Sequence, residues 1–190
     1  MQKAQGPAVW LGEEMSRQDD WIVSLTEEEC DEIYEAAAAL LDRPFQEIGK
    51  SDFNLPKTAG KLAAIKQQTG AGRGFVMLRG LRCDPGDPLL EKAYWGIGSH
   101  IGVGVSQSTA GDILGHVYDR GNNDKVRYYR RGGPLEFHID PVDATSLLCL
   151  RRSLEGGASR IASAGAVHNA ILDENPEALE ILYRGFFNSL

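Results

Sequence analysis

The chain is short of the residues that build redox or disulfide frameworks. Its three cysteines, Cys30, Cys83 and Cys149, are far apart, odd in number and in no C-x-x-C pattern. They read as reduced thiols of a cytosolic protein, with Cys149 expected to be buried in a strand, and no motif supports a thiol nucleophile. Basic charge is also scarce. Lys and Arg number 20 against 27 Asp and Glu, giving a net charge of −7 and a pI near 5.1. That balance argues against a broad nucleic-acid or anionic-membrane surface and leaves a small molecule or a protein as the expected partner. No apolar run approaches the ~20 residues of a membrane span. No basic segment leads into an apolar run at the N-terminus, so no signal peptide is read, and the cytoplasm is the expected location. Repeats, low-complexity tracts and evident linkers are absent as well.

What the chain does have suits one globular domain. Of its 190 residues 42% are hydrophobic and 25% charged, enough for a substantial core. Trp10 and Trp21 are expected to anchor an irregular N-terminal stretch. Thr26-Glu27-Glu28-Glu29 is a capping box, in which the Thr hydroxyl and the third Glu satisfy each other's free backbone N–H groups. The helix it starts runs to about Leu41, with Ile33, Ala37, Leu40 and Leu41 on its apolar face, and Pro44 blocks continuation. A second helix spans 58–69, with Leu62 and Ile65 inward and Gly70 as its stop. Gly70-Ala71-Gly72-Arg73-Gly74 follows this helix and leads into the strand Phe75-Val76-Met77-Leu78. A phosphate loop runs the other way, from strand to helix, so the glycines read as a flexible turn. Asp87 and Pro88 start a third helix that carries Leu89, Leu90, Ala93, Tyr94 and Ile97 towards His100.

Beyond that helix the pattern becomes short β-like segments, at 103–107, 112–119, 126–129, 135–140, 145–151 and 160–162. Closely spaced strands with Gly and Pro turns suggest a sandwich or jelly roll. The end is helical again, first over 164–172. A last helix is capped by Asn175 with Pro176 at its first position, and places Leu179, Leu182 and Tyr183 on one face. The expected fold class is α+β. A single domain over 1–190 would have a helical part over about 1–101, a β-rich core over about 102–163 and helices over about 164–188.

The most informative stretch is Leu135-Glu136-Phe137-His138-Ile139-Asp140, which alternates at period two up to Pro141. On a strand, residues i and i+2 share a face about 7 Å apart at their Cα atoms, so His138 and Asp140 would stand side by side. Two such ligands plus a second His form the facial triad that holds non-haem Fe(II) with open coordination positions. Four histidines and 27 acidic residues make His-x-Asp common by chance. Taken alone, the pair could equally hydrogen-bond to itself or to solvent.

The surrounding motifs add to this. From about Gly74 to Phe187 the sequence resembles the TauD/TfdA family of Fe(II)- and 2-oxoglutarate-dependent dioxygenases. Gly74-Phe75-Val76-Met77-Leu78-Arg79-Gly80 is similar to the family's entry strand. Val105-Ser106-Gln107 and Gly111-Asp112-Ile113-Leu114-Gly115-His116-Val117-Tyr118-Asp119 are similar to its paired strands before the metal. Phe137-His138-Ile139-Asp140 matches the His-x-Asp metal motif, with Ile139 where Thr is usual. Leu147-Leu148-Cys149-Leu150-Arg151, Glu155-Gly156-Gly157-Ala158-Ser159-Arg160 and Ala166-Val167-His168-Asn169 follow as the expected strand, Gly-Gly turn and helix.

The resemblance implies a double-stranded β-helix (a jelly roll) flanked by helices, and hydroxylation of a small organic substrate coupled to oxidative decarboxylation of 2-oxoglutarate. It implies Fe(II) ligation by His138 and Asp140. Ser159 takes a position where the family often has a Thr whose hydroxyl helps bind the 2-oxoglutarate carboxylate. Gln107 is a substrate-side candidate. The family's distal His and 2-oxoglutarate-binding Arg lie far downstream, so the chain is expected to be the first part of a longer, C-terminally incomplete domain. His100, His116 and His168 read as helix-end, sheet and packing residues respectively. The rival reading is a non-catalytic binding module, whose open strand edges would invite a homo-oligomer. Arg127-Tyr128-Tyr129-Arg130-Arg131 could stack on nucleic acid, but the acidic chain favours a solvated turn, which in the family would border the pocket of an anionic substrate. Neither nucleic acid nor membrane is the expected partner.

Overall fold

The computed structural model describes residues 1–106, 111–118 and 135–185. In order, these contain α1 (Gly12–Met15), β1 (Ile22–Ser24), α2 (Glu27–Ala39), a 3-10 turn (Phe45–Glu47) and α3 (Ala59–Gly70). They continue with β2 (Met77–Arg79), α4 (Leu90–Ile101), α5 (Ala164–Glu174) and α6 (Pro176–Tyr183). Two compact units are present. One comprises Met1–Val23, Gln67–Leu78 and Ile161–Leu190; the other comprises Ser24–Lys66 and Arg79–Arg160.

In the second unit α2 packs on α4. The capping box is formed as the sequence predicts: Glu29 N donates to Thr26 Oγ1 at 3.2 Å, and Thr26 N donates to Glu29 Oε2 at 2.8 Å. Cys30, Ile33, Tyr34 and Ala37, at helical spacing, are buried, whereas Leu41, past the helix end, is 41% exposed. From α4, Leu90, Ala93, Gly96, Ile97 and His100 are buried. Gly96 lies so close to the wholly buried Phe53 that a Cβ there would overlap the ring. Lys92, also buried, donates from Nζ to Arg43 O over the Phe45 ring. Helix α4 begins at Leu90 rather than at Pro88. Asp87 first closes a turn, accepting from Leu89 N through Oδ1 and from Leu90 N through its carbonyl.

Helix α3 is tied to α2 by Glu32. Its carboxylate accepts from Lys57 N (2.8 Å), Thr58 N (2.9 Å) and Thr58 Oγ1 (2.7 Å). Burial pushes Glu32 up, and the hydrogen bonds from Lys57 and Thr58 more than reverse this, leaving it below the ordinary value of 4.5. A carboxylate lowered on folding stabilises the native state above its unfolded pKa, and loses that contribution as pH falls through the folded one. Urea midpoints should therefore fall below about pH 4.5. Glu32→Gln should cost about 1–2 kcal/mol at neutral pH, because a charged acceptor is lost, and should flatten that fall. An unchanged acid limb in the variant would contradict the assignment.

In the first unit Trp10 and Trp21 are the anchors expected. Their rings meet Phe75 at 5.3 and 5.7 Å, and Trp10 Nε1 donates to Arg73 O at 2.9 Å. The turn after α3 needs its glycine, since Gly74 has φ +92°. Helix α5 is capped by Ser163 and α6 by Asn175, with Pro176 in its first turn. Of the face expected on α6, Leu179 is buried, but Leu182 and Tyr183 are 47% and 68% exposed. Strands β1 and β2 form a two-stranded sheet. Met77 N donates to Trp21 O and Leu25 N to Arg79 O, offsets that make the pair parallel.

The β-rich core expected over 102–163 is not seen among the described residues. Among the described residues the strands are β1 and β2 alone, and 103–106, 112–118, 135–140, 145–151 and 160–162 are not strands. The expected strand at 126–129 lies outside the described residues. An extended segment becomes a strand only when a neighbour takes up its N–H and C=O groups. Residues 135–160 make no backbone–backbone hydrogen bond among the described residues. Their apolar side chains accordingly face solvent, with Phe137 62%, Ile139 91% and Leu147 79% exposed. Cys149, expected to be buried in a strand, is exposed for the same reason. No helix among the described residues is long and apolar enough to cross a membrane.

Candidate metal-binding site

His138 and Asp140 lie together although no strand carries them: His138 Nε2 is 3.8 Å from Asp140 Oδ1. Asp140 precedes Pro141, whose ring disfavours the helical conformation at Asp140. A second hydrogen bond aims each side chain. His138 Nδ1 is 2.8 Å from Glu136 O. A carbonyl only accepts, so Nδ1 carries a proton, and in the neutral ring Nε2 is the nitrogen with the lone pair. Thr145 Oγ1 donates to Asp140 Oδ2 at 2.7 Å, leaving Oδ1 as the oxygen turned towards the imidazole. Both side chains are about half exposed, 51% and 45%.

The donor set suits a divalent transition metal. Such an ion holds N and O donors at about 2.0–2.2 Å, so two donors on one ion stand at most about 4.2–4.4 Å apart. The observed separation lies within that limit, and adjacent positions of a facial site, about 3 Å apart, need the two atoms to close by under about 1 Å. Outer hydrogen bonds to both ligands are what a metal site requires to hold its donors in place. Among the described residues, no group of three or more His, Cys, Asp or Glu converges on a common point. The other histidines are committed elsewhere. Buried His100 donates from Nε2 to Phe53 O at 2.8 Å. His116 bonds Glu91 Oε1 on α4 at 2.8 Å and stacks on Tyr118, instead of sitting in a sheet. His168 meets Asn169 Oδ1 and the edge of the Tyr183 ring.

Ser159 is exposed. Its neighbour Arg160 places its guanidinium 5.4 Å from the centre of the Phe137 ring, so the 159–160 stretch runs beside 137–138. Gln107 lies outside the described residues. A shallow hollow of about 580 Å³ beside Lys50, Asn54, Pro56 and His100 belongs to the α4 core and touches none of these groups.

Thr145 is the residue that sequence reasoning did not single out. No motif marks a hydroxyl five positions after a carboxylate, since the contact depends on the bend at 141–143. Thr145→Val should weaken Co(II) or Fe(II) binding by about 10–100-fold, the range for loss of an outer-sphere partner. Thr145 is exposed, so its thermal unfolding should stay put. Undiminished metal affinity would show that Asp140 needs no such support.

Comparison with known proteins adds independent findings. The model of the family described as taurine catabolism dioxygenase TauD, TfdA family matches residues 41–186. The chain is 31% identical over 189 residues to FR-33289 synthase of Streptomyces rubellomurinus, covering 96% of this chain and 56% of that protein. It is 29% identical over 194 residues to the taurine hydroxylase-like protein SAT17 of Stachybotrys chartarum, covering 95% and 50% respectively. The chain thus spans about half the length of these relatives.

Proposed function

Since the chain belongs to the TauD/TfdA dioxygenase family, we propose that it forms the metal-binding part of an Fe(II)- and 2-oxoglutarate-dependent hydroxylase of a small organic substrate. The observation that carries this reading is the His138–Asp140 pair, 3.8 Å apart and held by outer hydrogen bonds on both members. It lies inside the stretch that the family model matches. The jelly roll that the family implies is part of the same proposal, as is an anionic substrate.

In this reading the metal supplies the oxidising chemistry, by which 2-oxoglutarate and O₂ become succinate and CO₂ while the substrate gains the second oxygen atom as hydroxyl. The chain supplies position. His138 offers Nε2 and keeps its proton on Nδ1, against Glu136 O. Asp140 offers Oδ1, with Oδ2 held by Thr145. The Ser159 hydroxyl donates to a carboxylate of the 2-oxo acid. The third ligand and the arginine that pairs with the acid come from outside the described cluster.

A second reading has its own observation. Phe137, Ile139, Leu147 and Leu154 are all more than 60% exposed, as on a surface that another chain covers. A non-catalytic, oligomerising module of the same family would look like this. Anaerobic loading with Fe(II), then addition of 2-oxoglutarate and O₂ with succinate as readout, separates the two. Succinate formation that depends on His138 supports the hydroxylase. Iron retained without succinate favours the module, and iron bound no better by the wild type than by His138→Ala removes the metal site altogether.

A further inference from the structure

Tyr94 sits half-buried on α4, between Ala93 and Gly96 of the core. Its phenol donates to Ser146 Oγ at 2.7 Å. Burial pushes that phenol above its ordinary value of 10.0 while the Ser146 bond lowers it. Ser146 follows Thr145, whose hydroxyl holds Asp140 Oδ2 at 2.7 Å. One turn back along the same helix, Glu91 holds His116 at 2.8 Å. Helix α4 therefore presents Glu91 and Tyr94, at i and i+3 on one side, to two segments that form no strand among the described residues. Its core side is locked by Ala93, Ile97 and the Gly96–Phe53 contact.

We propose that Tyr94 is a positioning residue for the metal site, fixing the 141–146 turn on α4 and thereby the rotation of the Asp140 carboxylate. The inference rests on the metal reading of His138 and Asp140. Its chemical consequence concerns how many oxygens reach the ion. With Oδ2 engaged by Thr145, Asp140 presents Oδ1 alone. A carboxylate free to rotate can present both oxygens and close a coordination position that a 2-oxo acid and O₂ need. A phenylalanine at 94 would fill the same space, so the role belongs to the hydroxyl.

The test uses the whole chain with Co(II) as probe, comparing wild type, Tyr94→Phe, Ser146→Ala and the double variant. Each single variant should shift the visible absorption bands that report coordination and change Co(II) affinity by about 10-fold, with melting unchanged. The double variant should match the singles, because both remove one bond. Additive changes, or unchanged affinity and spectrum, would overturn the proposal. The methyl resonance of Thr145 in the metal-free chain gives a separate readout. It should move alike in both single variants. Should the wild type bind no Co(II), the metal reading fails by itself, and a Thr145 resonance unmoved by Tyr94→Phe still decides against Tyr94.

Discussion

His138→Ala and Asp140→Ala should each reduce Fe(II) or Co(II) affinity by more than about 100-fold, equivalent to about 2.7 kcal/mol or more. Each removes one of the two donors 3.8 Å apart, and a single remaining ligand cannot hold a divalent ion against water. Stability should hardly change. Both side chains are about half exposed, in a stretch without backbone–backbone bonds among the described residues, where substitutions usually stay within about 0.5 kcal/mol. Asp140→Asn is the sharper variant, because it keeps an oxygen for Thr145 and loses only the charge. Equilibrium titration under anaerobic conditions reads all three. Wild-type affinity in both alanine variants would end the metal assignment.

The largest stability effect is expected at Phe53. Its ring is wholly buried and lies against Gly96 on α4. Phe53→Ala should cost about 3–5 kcal/mol, the transfer free energy of the ring plus the cavity it leaves. Gly96→Ala attacks the same contact from the other side, since a Cβ there overlaps the ring, and should cost about 1–3 kcal/mol through overpacking. The double variant should lose less than the sum, as the new methyl enters the vacated space. Urea unfolding measures these differences. A neutral Gly96→Ala would mean that the helix shifts freely and that the packing is looser than the geometry shows.

The helices were legible because their signals are local. Thr26 with Glu29, and Asn175 with Pro176, are capping groups written within four residues, and both caps form. The start of α4 was less so. Asp87 and Pro88 look like a cap and a first turn, but the carboxylate is used for a tighter turn before Leu90. The strands expected after 102 are not formed among the described residues, for a non-local reason. Alternation of apolar residues describes a chain that has partners, and Ile139 at 91% exposed shows how little alternation decides where ladder contacts are missing. The closeness of His138 to Asp140 was legible in their spacing. Thr145 and Tyr94 were not, because one acts through a bend and the other through tertiary packing of α4.

The parallel pairing of β1 with β2 has a kinetic consequence. Trp21 O meets Met77 N, and Leu25 N meets Arg79 O, only after the chain has looped out through α2 and α3. Closing so long a loop loses chain entropy before any ladder bond repays it, and such long-range parallel contacts are slow to form. The local, capped helix α2 should therefore gain hydrogen-exchange protection early in refolding, and the amides of Leu25 and Met77 late. Destabilising the Glu32 tie between α2 and α3 would then slow the sheet more than it loosens it.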